Sequence, residues 1–260
     1  MESPLSANPF GNLSSEQVEM INRHLAGNPL SYLEIVAIRA FLAQTRYDFY
    51  KGRQGELAEF AGNDQIADNA IKYNISSLAG SVQMDRPMQL IYSVMGIEKI
   101  FKNRRTIDLL SIGPRSEMEI FSLYSVGFAP ERIKAIDLIS YSPLVQIGDM
   151  HDIPFAENSF DLLFSGWVIP YSKDVKTMAK EMIRVSRDRA VVAVAADYAT
   201  DEMRKAAAVG DALPLADCTS FQTTAQILAL FEGHVGDIYF RQDPDYPARS
   251  SMVVAFEIRK

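Results

Sequence analysis

The sequence predicts an α/β fold: a doubly wound, mostly parallel sheet with an antiparallel pair at its C-terminal edge and a helical N-terminal extension. Between residues 106 and 196, short apolar runs alternate with helical segments, which is typical of a parallel sheet covered on both faces. Residues 1–100 show helical spacing and little that resembles a strand. The chain ends in two segments of alternating apolar and polar residues, which predict the edge pair.

Four apolar segments are predicted to be the parallel strands. They cover residues 107–112, 133–137, 162–165 and 190–196. Helices are expected between them at about 116–126 and 173–186, with a shorter one near Ser142. Further helices are expected near 200–210 and 223–232, followed by the edge strands 237–241 and 251–259.

We expect the helical extension to occupy residues 1–100 and the sheet domain to occupy residues 101–260. In the extension, Ser14 and Gln17 have the spacing of a capping box, which marks the start of a helix. Residues 28–29, Asn-Pro, precede a segment in which apolar residues recur at three- and four-residue intervals. Two more helices are expected at about 64–80 and 87–101.

Composition and charge argue against several classes of function. With 260 residues, of which 48% are hydrophobic, the chain is long enough for one sizeable core with an added subdomain. The formal net charge of -7 argues against a nucleic-acid partner, because binding to the phosphate backbone needs a concentrated positive face. Cys218 is the only cysteine, so neither an intrachain disulfide nor a cysteine-built metal site can form.

The sequence also gives no sign of a membrane segment or a metal site. Residues 1–6 lack the basic and apolar regions of a signal peptide, and no apolar run approaches the roughly 18 residues that span a bilayer. We therefore expect a cytoplasmic protein with no membrane partner. His24, His151 and His234 are far apart and none has a second histidine at helical spacing, so no metal is expected.

The end of the first predicted strand indicates a ligand-binding turn. Gly113 follows this strand, and Ser116 and Glu119 have capping-box spacing at the start of the next helix. Such a turn brings backbone N–H groups close to a ligand, although a single glycine also fits an ordinary turn. Asp137 ends the next strand, where a carboxylate can accept both hydroxyls of a ribose; an acidic cap is the alternative interpretation.

Together with later motifs, these residues resemble the class I S-adenosylmethionine-dependent methyltransferases. The resemblance is closest over residues 106–196, and its most specific part is the Asp-Met-His-Asp-Ile-Pro-Phe loop at 149–155 followed by Asn-Ser-Phe-Asp at 158–161. It implies a Rossmann-like sheet, S-adenosylmethionine as cofactor in residues 101–260, and methyl transfer to oxygen, nitrogen or carbon of a small or medium-sized acceptor. Residues 1–100, with 198–222, would then form the substrate cap.

The same resemblance implies roles for particular residues. Gly113 would approach the methionine part of the cofactor, Asp137 would bind the ribose, and Asp149 with Met150 would bracket the adenine; Leu138 is also expected to contact the cofactor. Ser165 would begin the floor beside the transferred methyl. Two interpretations stay open for Arg115, which either pairs with the methionine carboxylate or points to solvent.

The catalytic residues are unknown at this stage, and three candidates follow from position. Trp167 and Tyr171 come just after the strand ending at Ser165, where they could stack on a substrate or enclose the sulfonium by cation-π attraction. Alternatively, Trp167 packs the helical extension onto the sheet. His151 is a candidate base, but the assignment of its neighbours Asp149 and Met150 favours the adenine side, too distant from the methyl for catalysis. The aromatic candidates for the acceptor pocket, which fit a helix core as well, are Tyr47, Tyr50 and Tyr73.

Three positions depart from the family pattern. Ser111 stands where an acidic residue is usual, and Arg115 and Glu117 stand where further glycines are usual. The altered glycine turn motivates a second hypothesis, a protein on the same fold that does not transfer methyl groups and acts either as a partner-binding subunit or as an enzyme that uses the bound sulfonium differently. A nicotinamide-dependent oxidoreductase is the third: it would share Asp137, but the Gly-x-Gly-x-x-Gly turn is missing and the loop at 149–155 is left unexplained.

Overall fold

The fold is taken from a computed structural model that describes residues 14–27, 30–54, 58–59, 65–82, 85–198, 219–245 and 251–260. The helix expected near 200–210 therefore lies outside the described residues. Within the described ranges, no helix is both long and apolar enough to cross a membrane.

The N-terminal third is helical, as predicted. Its helices are α1 (Ser15–Gly27), α2 (Val36–Gln54), α3 (Gln65–Ser81), α4 (Pro87–Met95) and α5 (Glu98–Asn103). The first capping box is confirmed, since the Ser14 N–H donates to Gln17 Oε1 at 2.8 Å and the Gln17 N–H donates to Ser14 Oγ at 3.2 Å. The single helix expected over 87–101 was wrong, because Ile97 adopts extended dihedrals and separates α4 from α5.

The predicted sheet is confirmed. Its strands are β2 (Leu109–Ile112), β3 (Ile133–Asp137), β5 (Gln146–Ile147), β6 (Phe160–Gly166), β7 (Ser186–Asp197), β8 (Val235–Gln242) and β9 (Ser251–Ile258), in the order β5-β3-β2-β6-β7-β9-β8. The first five strands in this order run parallel to one another, and β9 pairs antiparallel with both β7 and β8. Helices α6 (Glu117–Ser125), α7 (Val175–Val185) and α8 (Thr224–Ala229) accompany the sheet.

Three short strands of the described ranges, β5 among them, were not predicted. Strand β1 (Ala58–Glu59) pairs antiparallel with β4 (Ile139–Ser140), which connects the helical region to the loop after β3. The short helix expected near Ser142 is absent from this described loop. Instead, Ser140 Oγ accepts from the Ser142 N–H at 3.1 Å and donates to the Val145 carbonyl at 2.8 Å, so a side chain replaces helical backbone bonds.

The central strand β2 is buried on both faces, which explains its continuous apolar sequence. Leu110 belongs to the core that includes Met178 of α7, whereas Leu109 packs on the other face with Leu90 of α4. A further apolar cluster joins Tyr47 of α2 to Met118 of α6. The N-terminal helices are therefore packed against the helix that follows β2.

The sheet changes direction of growth next to β2. From β2 the chain proceeds to β3 and β5 on one side, and β6 and β7 are added on the other side. Ligands of doubly wound sheets bind outside the carboxyl ends of the strands at this switch point. The carboxyl ends of β2 and β6 lead directly to Gly113 and Gly166.

Candidate functional site

A cavity lies at the carboxyl ends of β2, β3 and β6. These ends supply Gly113, Asp137 and Gly166 to its wall. The loop after β5 supplies Gly148 to His151, and α3 contributes Ala70, Tyr73 and Asn74, which share one helix face. The cavity is thus enclosed by the sheet on one side and by the helical region on the other.

Gly113 is required by both conformation and space. Its φ is +73°, and its N–H donates to the Ile136 carbonyl at 2.8 Å. A Cβ atom at this position would lie 2.3 Å from Cγ1 of Val168, closer than real carbon atoms approach. The missing side chain therefore lets the turn and the loop after β6 meet at the cavity wall.

Asp137 fixes the turn that begins at Gly113. Its Oδ2 accepts from the Arg115 N–H at 2.8 Å and its Oδ1 accepts from the Ile139 N–H at 3.2 Å. Burial raises the pKa of Asp137, although these backbone hydrogen bonds act to lower it. A carboxylate has about four acceptor positions, so both oxygens can still accept from a ligand hydroxyl.

The loop after β5 is held by a hydrogen-bonded chain. His151 Nδ1 lies 2.5 Å from Asp149 Oδ1, and His151 Nε2 lies 2.7 Å from Ser172 Oγ. Lys173 Nζ lies 3.3 Å from Asp149 Oδ2. Burial acts to raise the pKa of Asp149, but the hydrogen bonds from His151 and the charge of Lys173 outweigh it and hold the pKa at about 2. Asp149 is thus ionised, and both ring nitrogens of His151 have partners.

Trp167 forms the opposite wall in a strained conformation. Its φ is +61°, unusual for a bulky residue, and its N–H donates to the Ala195 carbonyl at 2.7 Å. The Arg86 guanidinium lies 4.0 Å from the centroid of the indole ring and also pairs with Asp197. Tyr171 lines the same side of the cavity. The Trp167 ring, with the Arg86 guanidinium against it, therefore borders the cavity on the side of α4.

Glu119 is a charged cavity residue that the sequence analysis assigned to a different role. It was expected to complete a capping box with Ser116, and that half of the prediction was wrong. Ser116 does cap α6, accepting from the Met118 N–H at 3.4 Å, but Glu119 turns into the protein and accepts a hydrogen bond from the Ser111 hydroxyl. Burial raises the pKa of Glu119 to about 7. The hydrogen bond from Ser111 acts to lower this pKa, and the charge of Asp137 acts to raise it.

Most residues singled out from the sequence border this cavity. They are Gly113, Arg115, Asp137, Leu138, Asp149, Met150, His151, Trp167, Tyr171 and Tyr73. Ser165 is fully buried in β6 and its neighbour Gly166 reaches the cavity instead. Tyr47 packs edge-on against Tyr141 with ring centroids 5.1 Å apart, away from the cavity lining. Tyr50 is likewise outside it, with the Arg46 guanidinium 5.2 Å from its ring.

No group of three or more histidine, cysteine, aspartate or glutamate side chains in the described ranges is placed to hold a metal ion.

One protein family matches part of the chain, and solved structures share its fold. Residues 120–194 match the family described as a methyltransferase domain. A chain of the Haloferax volcanii complex between the Trm112 methyltransferase activator and a methyltransferase is 12% identical with a TM-score of 0.56, over 77% of this chain and 100% of that chain. No curated protein matches the sequence.

Two further solved structures are similar at lower scores. The N-methyltransferase NodS of Bradyrhizobium japonicum WM9, in complex with S-adenosyl-L-homocysteine, is 14% identical with a TM-score of 0.46, over 72% of this chain and 100% of that chain. A SAM-dependent methyltransferase of Aquifex aeolicus is 15% identical with a TM-score of 0.41, over 75% and 100% of the two chains.

Proposed function

We propose that this chain, whose residues 120–194 match a methyltransferase domain, transfers the methyl group of S-adenosylmethionine to a small or medium-sized acceptor. The observation that carries the proposal is the cavity at the switch point of the sheet, which combines the Gly113 turn, Asp137 and the Asp149–Met150 loop. The acceptor atom, oxygen, nitrogen or carbon, is left open.

The residues of the cavity fit S-adenosylmethionine. Gly113 leaves the backbone bare where a ligand would approach, and Asp137 retains acceptor positions for the ribose hydroxyls. Met150 offers a polarizable side chain to a flat ring, and Asp149 is ionised beside it. Arg115, whose guanidinium lies 5.4 Å from the Tyr73 ring, is placed on the cavity wall where a carboxylate could reach it.

When bound, S-adenosylmethionine supplies an electrophilic methyl group on a sulfonium. The tasks left to the protein are to align the acceptor with that methyl, to exclude water and, for a hydroxyl or amine acceptor, to take a proton. Trp167 and Tyr171 provide an apolar wall for alignment and exclusion of water. We assign His151 to positioning Asp149 rather than to proton transfer, because both of its ring nitrogens already have partners.

Helix α3 supplies the acceptor side in this proposal. Ala70, Tyr73 and Asn74 face the cavity from the helical region, so the N-terminal helices would act as the substrate cap. This arrangement favours an enzyme over a purely partner-binding subunit, since a partner-binding surface has no need of an enclosed cavity with strained residues at Arg115 and Trp167.

The proposal is tested by following S-adenosylhomocysteine formation with the purified chain and a panel of phenol, amine, carboxylic acid and carbon-acid acceptors. We expect at least one acceptor to give S-adenosylhomocysteine and a methylated product in equal amounts. Tight binding of S-adenosylmethionine with no turnover across the panel would favour the partner-binding alternative. Ala70→Leu, which adds bulk on the α3 side of the cavity, serves as the matched variant and is expected to raise the acceptor KM while the cofactor Kd changes little.

A further inference from the structure

Two buried carboxylates line the cavity, and they differ in the hydrogen bonds that they accept from the protein. Asp137 accepts from two backbone N–H groups. Glu119, on α6, accepts from the Ser111 hydroxyl, and within the described part of the chain no cation pairs with it. Its Oε2 lies 3.7 Å from the position that a Cβ on Gly166 would take, so this oxygen is at the carboxyl end of β6.

Two other buried acids of the described chain differ from Glu119 because each is paired with a cation. Glu117 is paired with Arg46 and Glu257 is paired with Lys99, at 2.5 Å and 2.7 Å respectively. Burying a carboxylate without a cation is costly, and a second carboxylate nearby adds repulsion. Burial therefore holds Glu119 partly protonated near neutral pH, and a positively charged ligand would favour its ionised form.

We propose that Glu119 binds the α-ammonium group of S-adenosylmethionine and so provides the counter-charge for the amino-acid end of the cofactor. This inference rests on the proposed function. An ammonium has three N–H donors for a carboxylate, whereas a sulfonium has none, and Glu119 Oε2 has acceptor positions to offer. Ser111, which occupies the place of an acid on β2, instead orients the acid supplied by α6.

The test is calorimetric titration of the whole chain and of Glu119→Gln with three ligands. S-adenosylmethionine carries ammonium and sulfonium, S-adenosylhomocysteine carries ammonium alone, and 5′-methylthioadenosine carries neither. We expect Glu119→Gln to weaken the first two on the order of ten- to a hundredfold, the range of a lost charged hydrogen bond, and to leave the third unchanged. Glu257→Gln, a buried acid outside the cavity lining, is the control and should leave all three unchanged.

The outcomes separate this inference from the proposed function. Equal affinities of the parent chain and Glu119→Gln for S-adenosylmethionine would overturn the inference alone. Weaker binding of all three ligands would also overturn it, because the cavity itself would then be damaged. Loss of affinity for S-adenosylmethionine only would assign Glu119 to the sulfonium and refute the ammonium contact. If the parent chain binds neither adenosyl amino acid, the inference and the proposed function both fail.

A second readout follows from the protonation of Glu119. The charged groups nearest to it are Asp137 on β3 and, beyond that, Arg115; Ser111 faces it from β2 and the apolar Leu90 lies on the α4 side of Gly166. Since a carboxyl that titrates near pH 7 must ionise to bind a cation, the Kd of the parent chain should tighten about tenfold between pH 6 and pH 8. Glu119→Gln should lose this dependence. The same tenfold dependence in both proteins would contradict the assignment.

Discussion

Arg46 of α2 and Glu117 of α6 form a two-point salt bridge, with Nε 2.5 Å from Oε2 and Nη2 2.8 Å from Oε1. Glu117 is fully buried, and Ser142 donates a further hydrogen bond to its carboxylate. The phenol oxygen of Tyr141 accepts from the Glu117 N–H at 3.0 Å. This bridge holds the helical region against the start of the helix that follows the Gly113 turn.

Replacing Arg46 with methionine should therefore destabilise the protein strongly. The Glu117 carboxylate would stay buried without its cation, which typically costs about 3 kcal/mol or more. Urea unfolding would measure the loss. Arg23→Met is the matched control, because Arg23 pairs with Glu19 in an exposed position and its removal should cost less than about 1 kcal/mol. Equal losses in the two variants would contradict this account.

The double variant Arg46→Met with Glu117→Met tests whether the cost comes from the unpaired charge. Removing both partners eliminates the buried carboxylate, so the double variant should be more stable than Arg46→Met alone. Strictly additive losses in the double-mutant cycle would show that Arg46 acts through packing on Tyr50 and Phe121 instead.

Glu119 should make the free energy of unfolding depend on pH. Its folded pKa of about 7 is above the ordinary value of 4.5. The stabilisation that the protonated carboxyl gives the folded state is therefore fully present below pH 4.5 and is lost as the pH rises to 7. The difference corresponds to about 3 kcal/mol. In denaturant titrations without ligand, the free energy of unfolding of Glu119→Gln should rise relative to that of the parent chain between pH 4.5 and pH 7. A constant difference over this range would refute the raised pKa.

The sequence predicted the sheet because its strands are buried on both faces and carry continuous apolar runs. It predicted the cavity residues at 113, 137 and 149–150 because strand ends and loop motifs are local features. Glu119 was misassigned, because a Ser-x-x-Glu pattern predicts a capping box unless a buried hydroxyl competes for the carboxylate, and that hydroxyl, Ser111, belongs to a strand. The break at Ile97 comes from local dihedral angles for which the sequence shows no pattern. The hydrogen bonds of the Ser140 side chain depend on tertiary contacts, which the sequence does not show either.

Gly113→Ala should weaken cofactor binding and lower stability. The new Cβ would meet Val168 at 2.3 Å and the residue would keep a φ of +73°. Calorimetry should show at least a tenfold weaker Kd for S-adenosylmethionine, an order of magnitude consistent with shifting a packed wall. Adding Val168→Ala should restore part of the affinity by relieving the contact. Gly80→Ala, where nothing lies within 4 Å of the new atom, should leave the Kd unchanged.

His151→Gln distinguishes a positioning residue from a general base. Because the imidazole bridges Asp149 and Ser172, its loss should raise the cofactor Kd while the pH profile of kcat at saturating cofactor keeps its shape. Ser172→Ala removes the other end of the chain and should give a smaller increase in Kd. If the Kd is unchanged and the pH profile of kcat no longer shows the ionisation of a basic group, His151 would instead be the base.

The central claim is that the cavity at the strand ends is built for S-adenosylmethionine, and calorimetric titration of the purified chain with S-adenosylmethionine and, separately, with NAD tests it most directly. We predict one molecule of S-adenosylmethionine bound per chain and no measurable heat with NAD. Binding of NAD without binding of S-adenosylmethionine would contradict the account and restore the oxidoreductase alternative.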